Sequence, residues 1–456
     1  MEPTTVYLTS LGCPKNRVDS EVILGSLMNA GYKPVVEPLE ARLIVVNTCG
    51  FITSATEESI ETILELAQAK KLGRCEFLVV AGCLPQRYGR KLARSMPEVD
   101  LFVGTSSFIH LVHILANYQK DDLQRLVLEP PRFLMTAKTP RTLSVPFYSA
   151  YLKIAEGCSN RCSFCTIPAI RGPYRSRPLS DLLQEAEWLA SQGVIELNLV
   201  AQDTTAYGTD LDPAPRLPDL LEALAKIGKF SWIRLLYGYP QKIDGKLLET
   251  MASYESICNY LDLPLQHVSS HLLKAMGRRG SAEEFFELLS WIRQYLPEVT
   301  LRTTLIVGFP GETEKDFQEL CEFVEQARFQ RLGLFGYSPE QGTRAALFSE
   351  PVEESVKMQR VQALSALQEK ISLDYNSRLV GTAQPVLVEG VSDESDLLLQ
   401  ARLASQAPEV DGCVFINKGF GKVGEIVVAR ITEAHPHDLI AEIDESANPS
   451  SKYGHQ

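Results

Sequence analysis

Three cysteines in one short stretch have the clearest capacity for chemistry: Cys158, Cys162 and Cys165, spaced C-x₃-C-x₂-C. Three thiolates so close together on one loop can ligate three irons of a 4Fe–4S cube, which leaves the fourth iron open to a substrate or cofactor. A structural zinc site normally has four protein ligands, and no fourth cysteine or histidine lies nearby. The spacing therefore favours an iron–sulfur cluster over zinc or three packed thiols.

A second set of cysteines is spread through the first part of the chain. Cys13, Cys49 and Cys83 each follow a predicted strand, and each adjoins a glycine, which permits close backbone approach. The carboxyl ends of parallel strands share one edge of a sheet, so these thiols are expected to meet there. Any one of them alone would be interpreted as a small buried side chain. Their repeated position instead predicts a second 4Fe–4S cluster with an open iron. The other four cysteines share neither spacing nor edge and are interpreted as packing residues: Cys75, Cys258, Cys321 and Cys413.

The elements that must position the second set lie in residues 1–140. Apolar strand patterns alternate there with helical patterns, which predicts a doubly wound parallel sheet. Asp19 is expected to cap a helix that runs through Tyr32, and Thr53 or Ser54 a helix through Lys70. Residues 118–146 contain four prolines and are predicted to be a linker. The predicted strands are Val6–Leu11, Leu43–Asn47, Phe77–Ala81 and Leu101–Val103.

The C-x₃-C-x₂-C motif with Cys158, Cys162 and Cys165 belongs to a second block, residues 147–375. Six strand patterns, each followed by a loop or helix, predict a partial (βα)₆ barrel, in which functional residues lie at the carboxyl ends of the strands. The predicted strands are Tyr151–Ala155, Glu196–Ala201, Trp232–Tyr237, Tyr260–Leu263, Leu301–Val307 and Arg331–Tyr337.

A third block, residues 376–443, contains short β-rich runs broken by Gly, Pro and Asp, which predict a small antiparallel barrel. Residues 444–456 form a polar tail. The fold class expected for the whole chain is therefore α/β, with a doubly wound sheet, a partial barrel and a small β-barrel in that order.

Composition limits the function classes that remain. Hydrophobic residues make up 45% and charged residues 22% of the 456 residues, which excludes disorder for most of the chain. No apolar run is long enough for a membrane span, and the first residues do not resemble a secretory signal, so a cytoplasmic protein is expected. The formal net charge of −12 argues against electrostatic capture of nucleic acid by the whole protein.

With these motifs the sequence resembles the radical S-adenosylmethionine (SAM) methylthiotransferases, whose C-terminal domain is a TRAM domain. The resemblance covers nearly the whole chain in the expected order. The stretches that carry it are Ser10–Glu21 (SLGCPKNRVDSE), Asn47–Phe51, Ala81–Leu84, Lys153–Cys158, Ile167–Gly172, Arg175–Pro178, Ala201–Gly208 and Thr304–Glu312.

The resemblance implies the cofactors and the reaction. The C-x₃-C-x₂-C cluster would bind SAM at its open iron and cleave it reductively to a 5′-deoxyadenosyl radical, with electrons from a separate donor. The cluster of the first block would hold a sulfur that a second SAM methylates. Both open irons must then face one cavity, so the two sheets should meet at their carboxyl edges. Arg302 and Glu312 lie on the segment that resembles SAM-contacting strands.

Less specific side chains offer further candidates. A carboxylate on the substrate would be held by a charge-assisted hydrogen bond from a basic side chain. The sequence does not select which basic side chain does this. His267 and His271 are four residues apart, as in metal pairs on helices, but packing or surface roles are favoured because no carboxylate motif follows. The basic candidates are Lys15, Arg17, Arg171, Arg175 and Arg177.

The form Leu-Gly-Cys13-Pro-Lys-Asn resembles the branch of the family that modifies the β-carbon of an aspartate in small-subunit ribosomal protein twelve. Residues 378–443 hold five basic and ten acidic side chains, which suits a basic protein partner, free or on the ribosome, better than RNA. Two alternatives stay open. One is the tRNA adenosine methylthiotransferase of the same family, and the other is a non-catalytic iron–sulfur protein that binds ribosomes.

Overall fold

The structure is a computed structural model that describes residues 4–118, 125–144 and 146–444. The predicted polar tail, apart from Asp444, lies outside these residues. In the described part of the chain, no helix is long and apolar enough to cross a membrane.

The first part of the chain forms a six-stranded sheet whose strand pairs are all parallel, which confirms the doubly wound prediction. The strand order is β2-β1-β3-β4-β5-β6. The central strands are buried on both faces, as the continuous apolar runs indicate. The strands are β1 (Thr5–Ser10), β2 (Lys33–Pro34), β3 (Leu43–Thr48), β4 (Phe77–Gly82), β5 (Leu101–Val103) and β6 (Leu126–Val127), and the helices are α1 (Pro14–Asn29), α2 (Thr53–Leu72), α3 (Cys83–Ser95) and α4 (Leu111–Ala116).

The second part forms the predicted partial barrel of six parallel strands, in the order β14-β13-β12-β11-β10-β7. Two short strands, β8 and β9, pair separately beside the loop that holds Cys158. The strands are β7 (Ser149–Lys153), β8 (Ala155–Glu156), β9 (Arg175–Ser176), β10 (Glu196–Val200), β11 (Trp232–Leu235), β12 (Ile257–Asp262), β13 (Thr300–Val307) and β14 (Arg331–Gly336), and the helices are α5 (Ile167–Arg171), α6 (Leu179–Ser191), α7 (Leu217–Lys226), α8 (Gly245–Ser253), α9 (Ser270–Ala275), α10 (Ala282–Tyr295), α11 (Glu314–Ala327) and α12 (Glu354–Ser377).

The third part is a closed barrel of five strands in the order β15-β16-β17-β19-β18. All neighbouring pairs are antiparallel except β17 and β19, which run parallel. The strands are β15 (Ala383–Ser392), β16 (Ser395–Leu403), β17 (Val414–Lys418), β18 (Ile426–Ala434) and β19 (Leu439–Ile443).

One apolar core joins the three parts, and it includes Val22 of α1, Tyr260 of β12 and Leu387 of β15. A buried charge network lies beside it. The Glu196 carboxylate accepts hydrogen bonds from Arg402 Nη2 at 2.7 Å and from Arg234 Nη2 at 3.1 Å. Burial alone would raise the pKa of Glu196, but the charge of Arg402 and its hydrogen bonds hold that pKa at about 2. The small barrel is thus fixed to the larger one by buried ion pairs. Separation of the two barrels would leave Glu196 or Arg402 without its partner, which is costly for a buried charge.

Three local predictions were wrong. Helix α2 begins at Thr53 and has Ile52 as its N-cap, so neither Thr53 nor Ser54 caps it. Helix α1 begins at Pro14, with Cys13 as its N-cap, so Asp19 lies inside the helix rather than before it. In its described residues, 118, 125–144 and 146, the segment predicted as a linker pairs with β5 as strand β6 and then contacts helices α1 and α6. The side chain of its Arg141 is 3% exposed, with ion pairs to Glu21 of α1 at 2.7 Å and Glu185 of α6 at 2.5 Å. Asp19 and Arg141 have partners far apart in sequence, and no local pattern contains them.

Candidate active site

Cys13, Cys49 and Cys83 lie at the carboxyl edge of the first sheet, as the strand pattern predicts. Cys13 is the N-cap of α1, Cys83 is the first residue of α3, and Cys49 directly follows β3. Unpaired backbone N–H groups and the positive end of the helix dipole favour a thiolate at a helix N-terminus. The fold therefore places two of the three thiols at helix N-termini.

Two glycines let these thiols approach one another. Gly12 has a φ of 92°, and a Cβ atom on it would lie 2.7 Å from the Cβ of Cys49. A Cβ atom on Gly50 would lie 3.0 Å from the Cα of Leu84. Side chains at either position would push the loops apart, so the glycines keep the three loops packed at one edge.

The thiols of this group interact electrostatically. Burial raises the pKa of Cys83 to about 12, although the guanidinium of Arg171, whose Nη2 lies 3.3 Å from the sulfur, opposes the rise. Burial and the charge of Cys13 raise the pKa of Cys49. Three neighbouring thiolates therefore need a positively charged partner, and an iron–sulfur cluster bound by thiolates meets that need.

The second group consists of Cys158, Cys162 and Cys165. All three line a cavity of about 630 Å³ at the carboxyl side of β7. Burial raises the pKa of Cys158, and it raises that of Cys165 to about 12. The Nη1 atom of Arg278 lies 3.9 Å from the sulfur of Cys162. Gly157 closes the base of the loop, where a Cβ atom would lie 2.2 Å from the carbonyl oxygen of Pro173.

The donor chemistry of both groups fits an iron–sulfur cluster. Thiolate sulfur is a soft ligand, which suits such clusters or zinc. Among the described residues, no group of three or more His, Cys, Asp and Glu side chains is arranged to hold a single metal ion. Each group instead offers three thiols, and the second presents them to a cavity much larger than one ion. These residues fit a cube with one open iron.

A buried set of four charges connects the two cysteine groups. Arg171, the last residue of α5, donates from Nη1 to Asp19 of α1 at 2.5 Å, and it also contacts Cys83. Lys153 of β7 donates to Glu156 at 2.8 Å and is hydrogen-bonded to Asp19. The two parallel sheets therefore meet at their carboxyl edges, as the sequence analysis expects. Asp19 makes this contact from within α1.

Sequence reasoning missed a polar group that contacts the cysteine loop of the second site. Asp203 is 2% exposed and accepts hydrogen bonds from Asn160 Nδ2 at 2.9 Å and Lys242 Nζ at 2.7 Å. Asn160 lies between two of the cysteines, so this carboxylate positions the cysteine loop from the end of β10. The available signal was the stretch Ala201–Gly208, which carries part of the family resemblance.

Arg302 and Glu312 are bound by protein partners. Arg302 donates from Nη1 to Asp262 at 3.1 Å, and its Nε lies 3.5 Å from Asp411 of the third part. Burial alone would lower the pKa of Arg302, but the charges of these carboxylates raise it. Glu312 accepts hydrogen bonds from Phe309 N at 3.1 Å and Arg360 Nη1 at 2.9 Å, and burial raises its pKa to about 6. Their roles toward SAM stay predictions.

The five basic candidates have different surroundings. Arg171 is engaged as described above, and Arg177 is buried in ion pairs with Asp181 and Glu185. Arg17 pairs with Glu409. Arg175 donates to the carbonyl oxygens of Pro173 and Arg171. Lys15 is buried against Tyr237.

The histidine pair does not converge on a common site. Burial lowers the pKa of His267 to about 4, whereas the side chain of His271 is 61% exposed. This agrees with the packing and surface roles favoured from the sequence.

Three family profiles match the chain in order. Residues 5–104 match the Uncharacterized protein family UPF0004, residues 152–324 the Radical SAM superfamily, and residues 380–443 the TRAM domain. The first two ranges contain one cysteine group each.

Full-length relatives share about half of their residues with the chain. A protein of Pelobacter propionicus is 50% identical over 444 residues, covering 97% of this chain and 99% of the relative. One of Geobacter sulfurreducens is 49% identical over 438 residues (96% and 98%), and one of Myxococcus xanthus 49% over 450 residues (99% and 94%). All three carry the name Ribosomal protein uS12 methylthiotransferase RimO.

Among solved structures, the chain is similar to the radical S-adenosylmethionine methyltransferase TsrM from Kitasatospora setae with cobalamin and a [4Fe–4S] cluster bound. The TM-score is 0.55 at 15% identity, and the match covers 84% of this chain and 81% of that one. At this identity the likeness concerns the fold alone.

Proposed function

The chain belongs to the RimO family of ribosomal protein uS12 methylthiotransferases, and on that premise we propose that its two cysteine groups divide one reaction between them. The protein is a radical SAM enzyme that transfers a methylthio group to the C3 carbon of an aspartate in uS12. Its cofactors are SAM and two 4Fe–4S clusters. In our proposal, Cys158, Cys162 and Cys165 hold one cluster and Cys13, Cys49 and Cys83 the other.

The observation that carries this assignment is the meeting of two parallel sheets at their carboxyl edges, each edge with three thiols. When bound, the clusters supply the electron that cleaves SAM and an iron that holds the transferred sulfur. The chain's own residues set the distance between these events, because Arg171 contacts both Cys83 and Asp19 and fixes the barrel against the first sheet. Functionalisation of an unactivated C–H bond requires the two sites to be close together, since the carbon radical must form next to the bound methylthio group.

The proposed division of the chain follows the sequence: residues 1–140 bind the sulfur-carrying cluster, residues 147–375 cleave SAM, and residues 376–443 recruit the substrate. We place the reaction in the cytoplasm, with a separate reductant as electron donor. Arg302 joins the second and third of these parts through Asp262 and Asp411, and Glu312 orders the loop after β13. Both therefore shape the barrel rim where SAM is proposed to bind.

Mass spectrometry of uS12 and of bulk tRNA, with and without the enzyme, tests the proposed substrate. We expect a mass gain of one methylthio group on uS12 alone, and fragmentation should place it on an aspartate. Bulk tRNA treated in parallel is the control. A gain on tRNA with none on uS12 would contradict the proposal and favour the tRNA-modifying branch.

The tip of the β15–β16 hairpin supports recruitment of a basic protein. Asp393, Glu394 and Asp396 are all exposed there, next to Leu397, whose side chain is 89% exposed. A strand tip that combines acidic groups with an exposed apolar side chain suits a lysine- and arginine-rich protein surface better than RNA phosphates.

Reversal of this charge should weaken uS12 binding. Changing Asp393, Glu394 and Asp396 to lysine is expected to lower affinity about 10-fold at low salt, mainly through slower association, because long-range attraction steers the encounter. Stopped-flow or surface binding kinetics over a salt series would measure this effect.

A matched control reverses three exposed acidic residues of α2, namely Glu57, Glu58 and Glu61, so that the net charge changes equally. If both triple variants lose the same affinity, total charge rather than the hairpin is responsible. Unchanged affinity in the hairpin variant would remove the electrostatic argument.

A further inference from the structure

Lys15 lies in the first turn of α1, two residues after Cys13, and is only 5% exposed. Its Nζ atom stacks on the ring of Tyr237, 3.5 Å from the ring centroid. Tyr237 follows β11 at the carboxyl end of the barrel. The ammonium group is therefore held between the two sheets, beside the first cysteine group.

No carboxylate pairs with this ammonium. Across the described residues, Lys15 Nζ makes neither a salt bridge nor a hydrogen bond. The largest charge that reaches it is that of the Cys13 thiolate, which the proposed function assigns to the first cluster. The carboxylates whose charges also reach it are engaged elsewhere: Asp262 binds Arg302 at 3.1 Å, and Glu156 binds Lys153 at 2.8 Å. A buried charge is costly unless it is paired, so this arrangement suits an anion that arrives from outside the protein.

The other basic candidates do not offer a comparable site. The guanidinium groups of Arg171 and Arg177 are buried and engaged by carboxylates of the same chain. Arg17 pairs with Glu409 at the outer surface and bonds Ser144 Oγ at 2.9 Å. Lys15 alone among the five combines burial at the contact of the two sheets with a charge that no described carboxylate pairs.

The position of Tyr237 gives an independent reason to expect function here. Its φ of 61° lies in the left-handed region, which a bulky residue rarely adopts, and such strain is retained where the surroundings over-determine it. Those surroundings are visible: Tyr237 N donates to Asp262 Oδ2 at 3.0 Å, and its carbonyl oxygen accepts a bond from Thr204 N at 3.0 Å. The ring is thus fixed under one side of the ammonium, which leaves other N–H donors available.

We propose that Lys15 Nζ binds the carboxylate of the target aspartate, and that Tyr237 positions the ammonium for it. The inference rests on the proposed function, which supplies a substrate with a carboxylate. In aspartate the carboxylate carbon is bonded directly to C3. Anchoring the carboxylate beside Cys13 therefore places the reacting carbon between the two cysteine groups, and an amide or a shorter side chain would not satisfy the ammonium.

The test is a double-mutant cycle on binding, with the reconstituted full-length enzyme. Lys15→Met should weaken uS12 binding about 10- to 100-fold, the range expected for a hydrogen bond to a charged group. Replacing the target aspartate of uS12 with asparagine should weaken binding to the parent enzyme similarly but have little further effect on Lys15→Met. Lys15→Arg should recover part of the loss. Lys33→Met, at an exposed site, is the matched control.

Several outcomes would overturn the proposal. Equal losses from the aspartate change in parent and Lys15→Met enzymes would show that the two groups do not interact. Loss of about half of the iron from Lys15→Met would make Lys15 a scaffold of the cysteine group. Loss of SAM binding in place of uS12 binding would assign the ammonium to SAM. None of these results affects the mass gain on uS12, so failure here is distinguishable from failure of the proposed function.

Discussion

Replacing Cys158, Cys162 and Cys165 together with alanine is expected to reduce the cleavage of SAM to 5′-deoxyadenosine to the background rate. The three thiols line the cavity after β7, and without them no iron remains at which SAM can be reduced. Iron in the anaerobically reconstituted protein should fall from about eight to about four per chain, since the first cysteine group is on another sheet. Chromatographic assay of 5′-deoxyadenosine after chemical reduction, with parallel iron analysis, measures both effects.

A variant with Cys75, Cys258 and Cys321 changed to alanine is the matched control. These thiols lie outside both groups, so this variant should keep its iron and its SAM cleavage despite losing the same number of sulfur atoms. Production of 5′-deoxyadenosine by the first triple variant would show that the radical site is elsewhere.

Replacing Cys13, Cys49 and Cys83 with alanine should separate the two halves of the reaction. The variant should retain about four irons and still cleave SAM, because the barrel and its cavity are built from other residues. Methylthio transfer to uS12 should stop, since no iron remains to hold the sulfur. Mass spectrometry of uS12 and the 5′-deoxyadenosine assay on one reaction mixture measure the two outcomes together.

The same variant also tests the contact between the sheets. Arg171 would lose the sulfur of Cys83 but keep its 2.5 Å bond to Asp19, so the sheets should stay together. Unchanged iron content would mean that these three cysteines are only packed in the sheet, and the assignment of the second cluster would fail.

The parts of the fold that could be predicted are those encoded locally. Strand β5 has the predicted boundaries, and the parallel order of both sheets follows from alternating strands and helices. The cysteine positions could be predicted because the carboxyl edge of a parallel sheet is fixed by topology.

The parts that could not be predicted depend on partners distant in sequence. Asp19 looks like a helix cap until Arg171 and Lys153, which are more than a hundred residues later, are placed beside it. Glu196 also has a buried partner distant in sequence, because Arg402 belongs to the small C-terminal barrel. Charged residues in an apolar run give no local sign of whether they face water or a buried counterion.

The buried contact of Asp19 with Lys153 also bears on how the protein is made. The last strand of the first sheet ends at Val127, 44 residues before Arg171. Chains grow from the N-terminus at roughly 5–20 residues per second, so these residues take roughly 2 to 9 seconds to synthesise. For that interval the first sheet has all its strands but not the barrel residues that contact its cysteine edge. The edge with Cys13, Cys49 and Cys83 is therefore open on the nascent chain and closes only when Arg171 arrives. We therefore expect oxygen and iron to reach these thiols more easily on the nascent chain than in the folded protein.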